Sequence, residues 1–173
     1  MSTRSLILSL ALLAFGAGAA LAETPGLGKN ITEGDIKPWN LDVLPDGTNL
    51  PPGSGTPAQG AVVYAQKCAA CHGDKGEGKT NARLVGSQIT GPGPAVKTVG
   101  SYWPYATMVF DFTRRAMPWT APKSLTDDEV YAVTAHILRL NGIIGDNDVM
   151  DAKTLPQVKM PNREGFVRFE RGK

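Results

Sequence analysis

Apolar side chains in residues 102–116 recur with the period of an α-helix. The positions concerned are Tyr105, Val109, Phe112 and Ala116. Their spacing of i, i+4, i+7 and i+11 predicts an amphipathic helix in which these four side chains form the buried stripe. The helix should end near Met117, because Pro118 disfavours the α conformation in the residue before it.

Two further helices are predicted on either side of this one. Residues 57–70 begin with Pro57, which suits a first helical turn, and continue with apolar residues at helical spacing. In "SLTDDEVYAVTAHILRLNG", Thr126 and Glu129 have the spacing of a capping box, and Gly142 suits a left-handed C-terminal cap. No alternation of apolar and polar residues indicates a strand. We therefore expect a small, mostly α domain over residues 57–145.

The segments that flank this domain lack a helical period. Residues 23–56 are rich in proline and glycine, yet "KPWNLDVL" within them is too apolar for a free linker. We expect residues 23–56 to be an extended arm packed on the domain, and residues 146–173 to be an irregular, polar C-terminal tail. Residues 73–100 should form a long loop, because "GDKGEGK" and "GPGP" are incompatible with regular structure.

Residues 1–22 have the pattern of a cleaved signal peptide. Arg4 precedes an apolar run that ends in the small-x-small sequence Ala20-Leu21-Ala22. Two glycines interrupt the apolar run, which argues against a retained membrane anchor. No other segment has the length and hydrophobicity to span a bilayer. We expect the mature chain, residues 23–173, to be periplasmic and not inserted in the membrane.

The charge balance argues against a nucleic-acid partner. The chain has 18 basic and 16 acidic residues, and removal of Arg4 with the signal peptide leaves 18 − 1 = 17 basic residues. No block of basic residues with interleaved aromatics occurs along the sequence. The mature protein is therefore close to neutral and lacks the basic surface that nucleic-acid binding requires.

Both cysteines of the chain lie in "YAQKCAACHGDKGEGK", where Cys68 and Cys71 are followed directly by His72. The sequence Cys-Ala-Ala-Cys-His fits the pattern that attaches c-type haem. Residues at i and i+3 lie on one face of a helix, so both thiols can form thioethers with the two haem vinyl groups. His72 can then direct an imidazole nitrogen at the iron as the proximal ligand.

Two other kinds of site use closely spaced cysteines. A redox dithiol would need a βαβ context, which is not indicated, and would leave His72 without a role. A zinc site would recruit Cys68, Cys71, His72 and His136. His72 is too close to Cys71 for the usual finger spacing. One covalently bound haem c is therefore the favoured cofactor.

A distal iron ligand would come from a methionine or from the second histidine. The candidates in the mature chain are Met108, Met117, Met150, Met160 and His136. We favour Met117, because Pro118 holds it in an extended conformation in which its side chain is presented rather than packed. Met108, in mid-helix, is expected to fill the core, and two other methionines lie in the tail. His136 is the rival ligand, although histidines deep in helices are more often structural. Ligation by histidine and methionine leaves no coordination position for a substrate, which favours electron transfer over catalysis.

The sequence resembles the class I c-type cytochromes. In that family the first helix ends in CxxCH, a loop carries the methionine ligand, and the C-terminal helix crosses the first. Gly60 and Tyr64 resemble the family's glycine–aromatic pair, and Tyr131 resembles the aromatic residue of its last helix. The resemblance implies a class I cytochrome c fold in which a glycine lets two helix backbones approach closely.

The chain departs from that family after the CxxCH motif. Class I cytochromes usually carry a proline there, whose carbonyl holds the proximal imidazole. Here the first prolines of the loop are Pro92 and Pro94. The sequence does not indicate which carbonyl would orient His72.

Longer segments resemble the haem subunit of periplasmic sulfite and sulfane dehydrogenases of the Sox sulfur-oxidation type. They are "VGSYWPYATMVFDFTRRAMPWTAPKSLTDDEVYAVTAHILRLNGII", "PWNLDVLPDGTNLPPGSGT" and "DAKTLPQVKMPNREGF". The resemblance implies a partner subunit with a molybdenum cofactor, where the sulfur chemistry occurs, and a downstream cytochrome c or oxidase. Some members of the sulfane dehydrogenase group carry a second haem domain, whereas this chain has one attachment site. We therefore expect a monohaem subunit that catalyses no bond-making itself.

Two other functions stay open at this point. The protein would be a free diffusible electron shuttle if no dehydrogenase subunit binds it. It would be a haem enzyme or gas sensor if the sixth position of the iron were open or held by His136.

Overall fold

The computed structural model describes residues 27–86 and 96–166. They belong to two compact units, residues 1–40 and residues 41–173. The predicted signal peptide, the two loop prolines at 92 and 94, and the end of the tail from residue 167 lie outside the described residues. Among the described residues, none of the helices combines the length and apolar composition needed to cross a membrane.

The described part of the first unit contains one short helix, α1, Glu33–Ile36. A capping box begins it: the Thr32 hydroxyl accepts the Asp35 N–H at 3.4 Å, and the Asp35 carboxylate accepts the Thr32 N–H at 2.9 Å. Residues 27–40 are all exposed, including Trp39 at 84%. The helix therefore depends on its cap rather than on a buried apolar face.

The second unit is mostly helical, as the sequence predicted. Its α-helices are α2 (Pro57–Lys67), α3 (Ala69–His72), α4 (Ala106–Ala116) and α5 (Asp127–Leu140). A short antiparallel pair joins β1 (Ser54–Gly55) to β2 (Met150–Asp151), and a 3-10 helix covers Leu155–Gln157. In this pair Ser54 faces Asp151 and Gly55 faces Met150. The pair was not predicted, because strands of two residues are too short to show an alternation of apolar and polar positions.

Helix α5 begins and ends where its capping residues predicted. The Thr126 hydroxyl accepts the Glu129 N–H at 3.2 Å, and the Glu129 carboxylate accepts the Thr126 N–H at 2.9 Å. At the other end Gly142 has φ 67° and donates to the Arg139 carbonyl. Ile143 donates to a carbonyl five residues earlier at 3.0 Å, which completes a Schellman motif.

The face of α4 that enters the core differs from the predicted stripe. Its buried residues are Ala106, Thr107, Val109, Phe110 and Thr113. The Phe110 ring is fully buried 4.4 Å from the Tyr131 ring, whereas Phe112 is 46% exposed and packs edge-on against Trp103. Met108 is 39% exposed, so its predicted core-filling role is wrong. Contact with α5 selects Phe110, and periodicity alone cannot choose between two neighbouring phenylalanines.

Helices α2 and α5 approach each other at Gly60. A Cβ atom at this position would lie 2.8 Å from the Cβ of His136 and closer still to the carbonyl oxygen of Ala132. A Cβ atom at Gly55 in β1 would likewise overlap the backbone of Ala132. Only glycine leaves room for backbones this close. The crossing glycine that the family resemblance implied is confirmed.

Residues 41–56 contact the helices of the second unit through backbone groups. The Val43 N–H donates to the Asp111 carboxylate at 3.1 Å, and the Ser54 N–H donates to Asp128 at 2.8 Å. The hydroxyl of Tyr131 donates to the Pro51 carbonyl at 2.9 Å. These bonds give an irregular segment partners for its polar groups, which a buried backbone requires.

The tail contributes side chains to the hydrophobic core. Met150, Leu155 and Met160 are at most 4% exposed. Residues 146–173 were predicted to be an irregular, polar tail, and their composition did not indicate that these three apolar side chains would be buried. Met150 lies in β2, Leu155 begins the 3-10 helix and Met160 follows it, and all three side chains belong to the same hydrophobic cluster as residues of α4 and α5.

Candidate functional site

Cys68 joins α2 to α3, and Cys71 and His72 lie in the single turn that forms α3. Helix α2 ends at Lys67, and Cys68 has φ −125° and ψ −39°, so the continuous helix predicted over residues 57–70 is interrupted there. The Cys68 carbonyl accepts hydrogen bonds from the N–H groups of Cys71 at 3.1 Å and His72 at 3.0 Å. This turn brings the three predicted haem-binding residues together.

His72 is oriented by a backbone carbonyl that the sequence did not indicate. Its Nδ1 donates to the Ala82 carbonyl at 2.7 Å. A hydrogen bond at Nδ1 fixes the imidazole tautomer and leaves the lone pair on Nε2 for a metal. The Ala82 carbonyl thus makes the hydrogen bond to the imidazole that a proline carbonyl makes in class I cytochromes.

The loop after His72 is held by hydrogen bonds to the CxxCH turn itself. The Gly78 N–H donates to the His72 carbonyl at 2.7 Å, and the Asn81 N–H donates to the Cys71 carbonyl at 3.0 Å. Asn81 directly precedes Ala82 in the chain, so the second bond holds the backbone next to Ala82. Two hydrogen bonds to Cys71 and His72 therefore hold the backbone that leads to the Ala82 carbonyl.

Tyr64 supports the same turn from within α2. Its side chain is 1% exposed, and its hydroxyl donates to the Gly73 carbonyl at 2.9 Å. Burial raises the pKa of Tyr64 to about 12, so the hydroxyl keeps its proton and remains a donor at neutral pH. The aromatic residue of the glycine–aromatic pair thus also fixes the backbone that follows His72.

The thiols do not have the chemistry of a redox dithiol. Both cysteines are free and half-buried. Burial raises the pKa of Cys68 to about 11, whereas reactive cysteines of redox motifs have a lowered pKa.

The zinc interpretation is not supported either. Over residues 27–86 and 96–166, no group of three or more His, Cys, Asp or Glu side chains is arranged to hold a metal ion. His136 packs its ring 5.1 Å from that of Tyr64, at the crossing of α2 and α5. Burial lowers the pKa of His136, and a hydrogen bond to the backbone of Pro57 opposes this only in part. His136 therefore has a packing role between two helices.

Met117 occupies the position that the sequence predicted for it. It caps α4 in an extended conformation, with φ −118° and ψ 150°, and its N–H donates to the Thr113 carbonyl at 3.0 Å. The peptide bond to Pro118 is cis, and the side chain is half-buried. Helix α4 has ended here, so the thioether is presented by a loop. Its role as the distal ligand stays a prediction.

The residues present fit covalent haem c. One turn supplies two free thiols and an imidazole. A carbonyl occupies Nδ1 of that imidazole and leaves Nε2 free to bind iron. The donor set is that of a haem attachment site rather than of a metal ion bound by side chains alone.

The chain is similar to a known protein family and to a chain of known structure. Residues 55–137 match the model of the family described as cytochrome c oxidase, cbb3-type, subunit III. A chain in the crystal structure of the sulfane dehydrogenase SoxCD from Paracoccus pantotrophus is 42% identical, with a TM-score of 0.77. That match covers 86% of this chain and 74% of the other. Among curated proteins, none matches the chain.

Proposed function

Because the chain belongs to the c-type cytochromes and resembles the cytochrome of the Sox type, we propose that it accepts electrons from a molybdenum-dependent sulfite or sulfane dehydrogenase subunit. It would work in the periplasm and pass single electrons to a downstream cytochrome c or oxidase. The observation that carries the proposal is the 42% identity to a chain of the sulfane dehydrogenase SoxCD over 86% of this sequence.

The established part of this function is electron transfer by haem. The cofactor is covalently bound haem c, and Cys68 and Cys71 are placed for its two thioether bonds. When bound, the haem supplies an iron centre that gains and loses one electron. The Ala82 carbonyl holds His72 in one tautomer and orientation, so Nε2 would be available to bind the haem iron.

The distal side of the proposal depends on Met117. A thioether is a soft ligand that favours ferrous iron and raises the reduction potential. As sixth ligand, Met117 would leave no coordination position for a substrate, which suits electron relay. With one attachment site, the protein would carry one electron at a time.

The role of Met117 can be tested spectroscopically. The ferric protein should show the near-infrared charge-transfer band of methionine-ligated haem, and Met117→Leu should abolish it. Met108→Leu is the matched control and should keep the band, because Met108 lies on the exposed face of α4. Ready binding of carbon monoxide to the reduced wild-type protein would instead support a haem enzyme or gas sensor with an open sixth site.

The partner can be identified by reduction of the haem in a purified complex. The tagged full-length protein is captured from a periplasmic extract, and the complex is treated anaerobically with sulfite or with a sulfane donor. A co-purifying molybdenum protein that reduces the haem with either donor supports the proposal. Absence of such a protein, with reduction by an unrelated dehydrogenase, would identify a free electron shuttle.

Export and maturation are tested by intact mass. The protein recovered from the periplasm of a cell that matures c-type cytochromes should have the mass of residues 23–173 plus one haem. A retained segment 1–22 would contradict cleavage, and a mass without haem would contradict covalent attachment at Cys68 and Cys71.

A further inference from the structure

Asn141, directly after α5, contacts the segment that carries the Ala82 carbonyl. Its Oδ1 accepts the Gly86 N–H at 3.1 Å, and its Nδ2 donates to the Leu84 carbonyl at 3.3 Å. The same Nδ2 group donates to the Ile137 carbonyl at 2.8 Å, one turn back in α5. Because a backbone N–H faces the oxygen of the amide and two carbonyls face its nitrogen, the orientation of the amide is determined. The amide therefore joins the loop to the last turn of α5 in a single orientation.

Close packing against Gly100 and Gly86 restricts the position of the Asn141 amide. A Cβ atom on Gly100 would overlap Oδ1 of Asn141 and would lie 2.8 Å from the Gly86 carbonyl oxygen. The Thr98 hydroxyl donates to that same carbonyl. Gly86 is therefore bonded through both its N–H and its carbonyl oxygen, and the Asn141 side chain is packed against a position where only glycine fits.

We propose that Asn141 is a positioning residue for the proximal iron ligand and that it helps to set the reduction potential of the haem. Leu84 lies two residues after Ala82, and the residue between them is arginine, so the intervening backbone has no glycine freedom. On its other side the Leu84 N–H donates to the Gly76 carbonyl at 2.8 Å. The segment is thus held between the CxxCH loop on one side and α5 on the other.

The consequence for the iron follows from the bond that Ala82 makes. A hydrogen bond from Nδ1–H to a carbonyl makes the imidazole a stronger donor, which stabilises ferric iron and lowers the potential. If the Asn141 amide is removed, the Leu84 carbonyl loses one of its donors and the Ala82 carbonyl is held less firmly against His72. The proposal rests on His72 as the iron ligand and does not depend on the identity of the dehydrogenase.

The test uses the mature haem-loaded protein with Asn141→Ala. The reduction potential should rise, and the His72 Nδ1 proton, followed by NMR, should exchange with solvent roughly five- to tenfold faster, the factor that one ordinary hydrogen bond contributes. Asn162→Ala is the matched control. Asn162 is also half-buried and donates to a backbone carbonyl, that of Tyr102, at 2.7 Å. The control should keep the wild-type potential and exchange rate.

A purely structural role would give a different result. If Asn141→Ala lowers the free energy of unfolding but leaves the potential and the His72 exchange rate at wild-type values, Asn141 only caps α5 and the proposal is overturned. If that variant does not fold, Asn141→Ser decides, because the shorter side chain withdraws from Leu84 and Gly86 while its hydroxyl can still bond the Ile137 carbonyl within α5. A raised potential in it supports the proposal, and a wild-type potential overturns it. Neither measurement involves the dehydrogenase, so failure of the proposed partner would not affect this test.

Discussion

Replacing Gly60 with alanine would place a methyl group between α2 and α5 at their point of closest approach. The new Cβ would lie 2.8 Å from the Cβ of His136 and closer to the carbonyl oxygen of Ala132. Carbon atoms pack at roughly 3.5–4.0 Å, so the overlap with His136 is about 1 Å. The Ala132 carbonyl belongs to a helix backbone and cannot turn aside as a flexible side chain can. The two helices must therefore separate.

The size of the effect follows from two opposing contributions. Overpacking of a core costs about 1–3 kcal/mol, and the upper end applies because the obstruction is backbone. Alanine is favoured over glycine inside a helix by about 1 kcal/mol, which offsets part of this. Gly60→Ala should therefore lower the free energy of unfolding by about 2 kcal/mol, equivalent to a Tm lower by about 4–8 °C for a chain of this size.

Equilibrium unfolding in guanidinium chloride, followed by far-UV circular dichroism, measures this difference on the haem-loaded protein. Gly145→Ala is the matched control, because its Cβ would meet Asp148 at an ordinary contact distance of 3.5 Å. The control should stay within about 0.5 kcal/mol of the wild type. If Gly60→Ala unfolds at the same denaturant concentration as the control, the close approach of α2 and α5 is not a constraint on this protein.

Three other predictions follow from single contacts. Tyr64→Phe removes the hydroxyl that bonds the Gly73 carbonyl and should lower the free energy of unfolding by about 1–2 kcal/mol, measured in guanidinium chloride; an unchanged midpoint would contradict this. Thr126→Ala removes the α5 cap and should lower it by about 1 kcal/mol, whereas Thr80→Ala at an exposed position should not change it. His136 has a folded-state pKa below its ordinary 6.5, so the unfolded chain takes up the proton first as pH falls. Stability from this group is therefore complete above pH 6.5 and decreases as pH falls below it; His136→Gln should remove that loss, and an identical slope in wild type and variant would refute its assignment to His136.

The attachment turn could be predicted from the sequence because its chemistry is local. The spacing of Cys68, Cys71 and His72 keeps them within one turn of backbone, and the structure brings them together although Cys68 interrupts the predicted helix. The Ala82 carbonyl could not be predicted in the same way. A backbone carbonyl has no residue-specific signal, and its position opposite Nδ1 depends on how the whole loop folds back.

The buried face of α4 shows a second kind of limit. Periodicity predicted the helix and its end at Met117, but assigned the core contact to Phe112 rather than Phe110. Both are apolar, and hydrophobicity gives no preference between them. The tertiary contact distinguishes them, because the Phe110 ring packs 4.4 Å from the ring of Tyr131 on α5.

Local patterns were enough to predict the haem attachment residues, the three main helices and the caps of α5, because each depends on residues within a few positions of one another. The carbonyl that orients His72, the buried face of α4 and the contact between Asn141 and the proximal loop depend on how the chain folds. Those contacts join residues far apart in the chain, from Asn141 to Leu84 across 57 positions. Their partners include backbone atoms that every residue type shares, so no pattern of side chains encodes them.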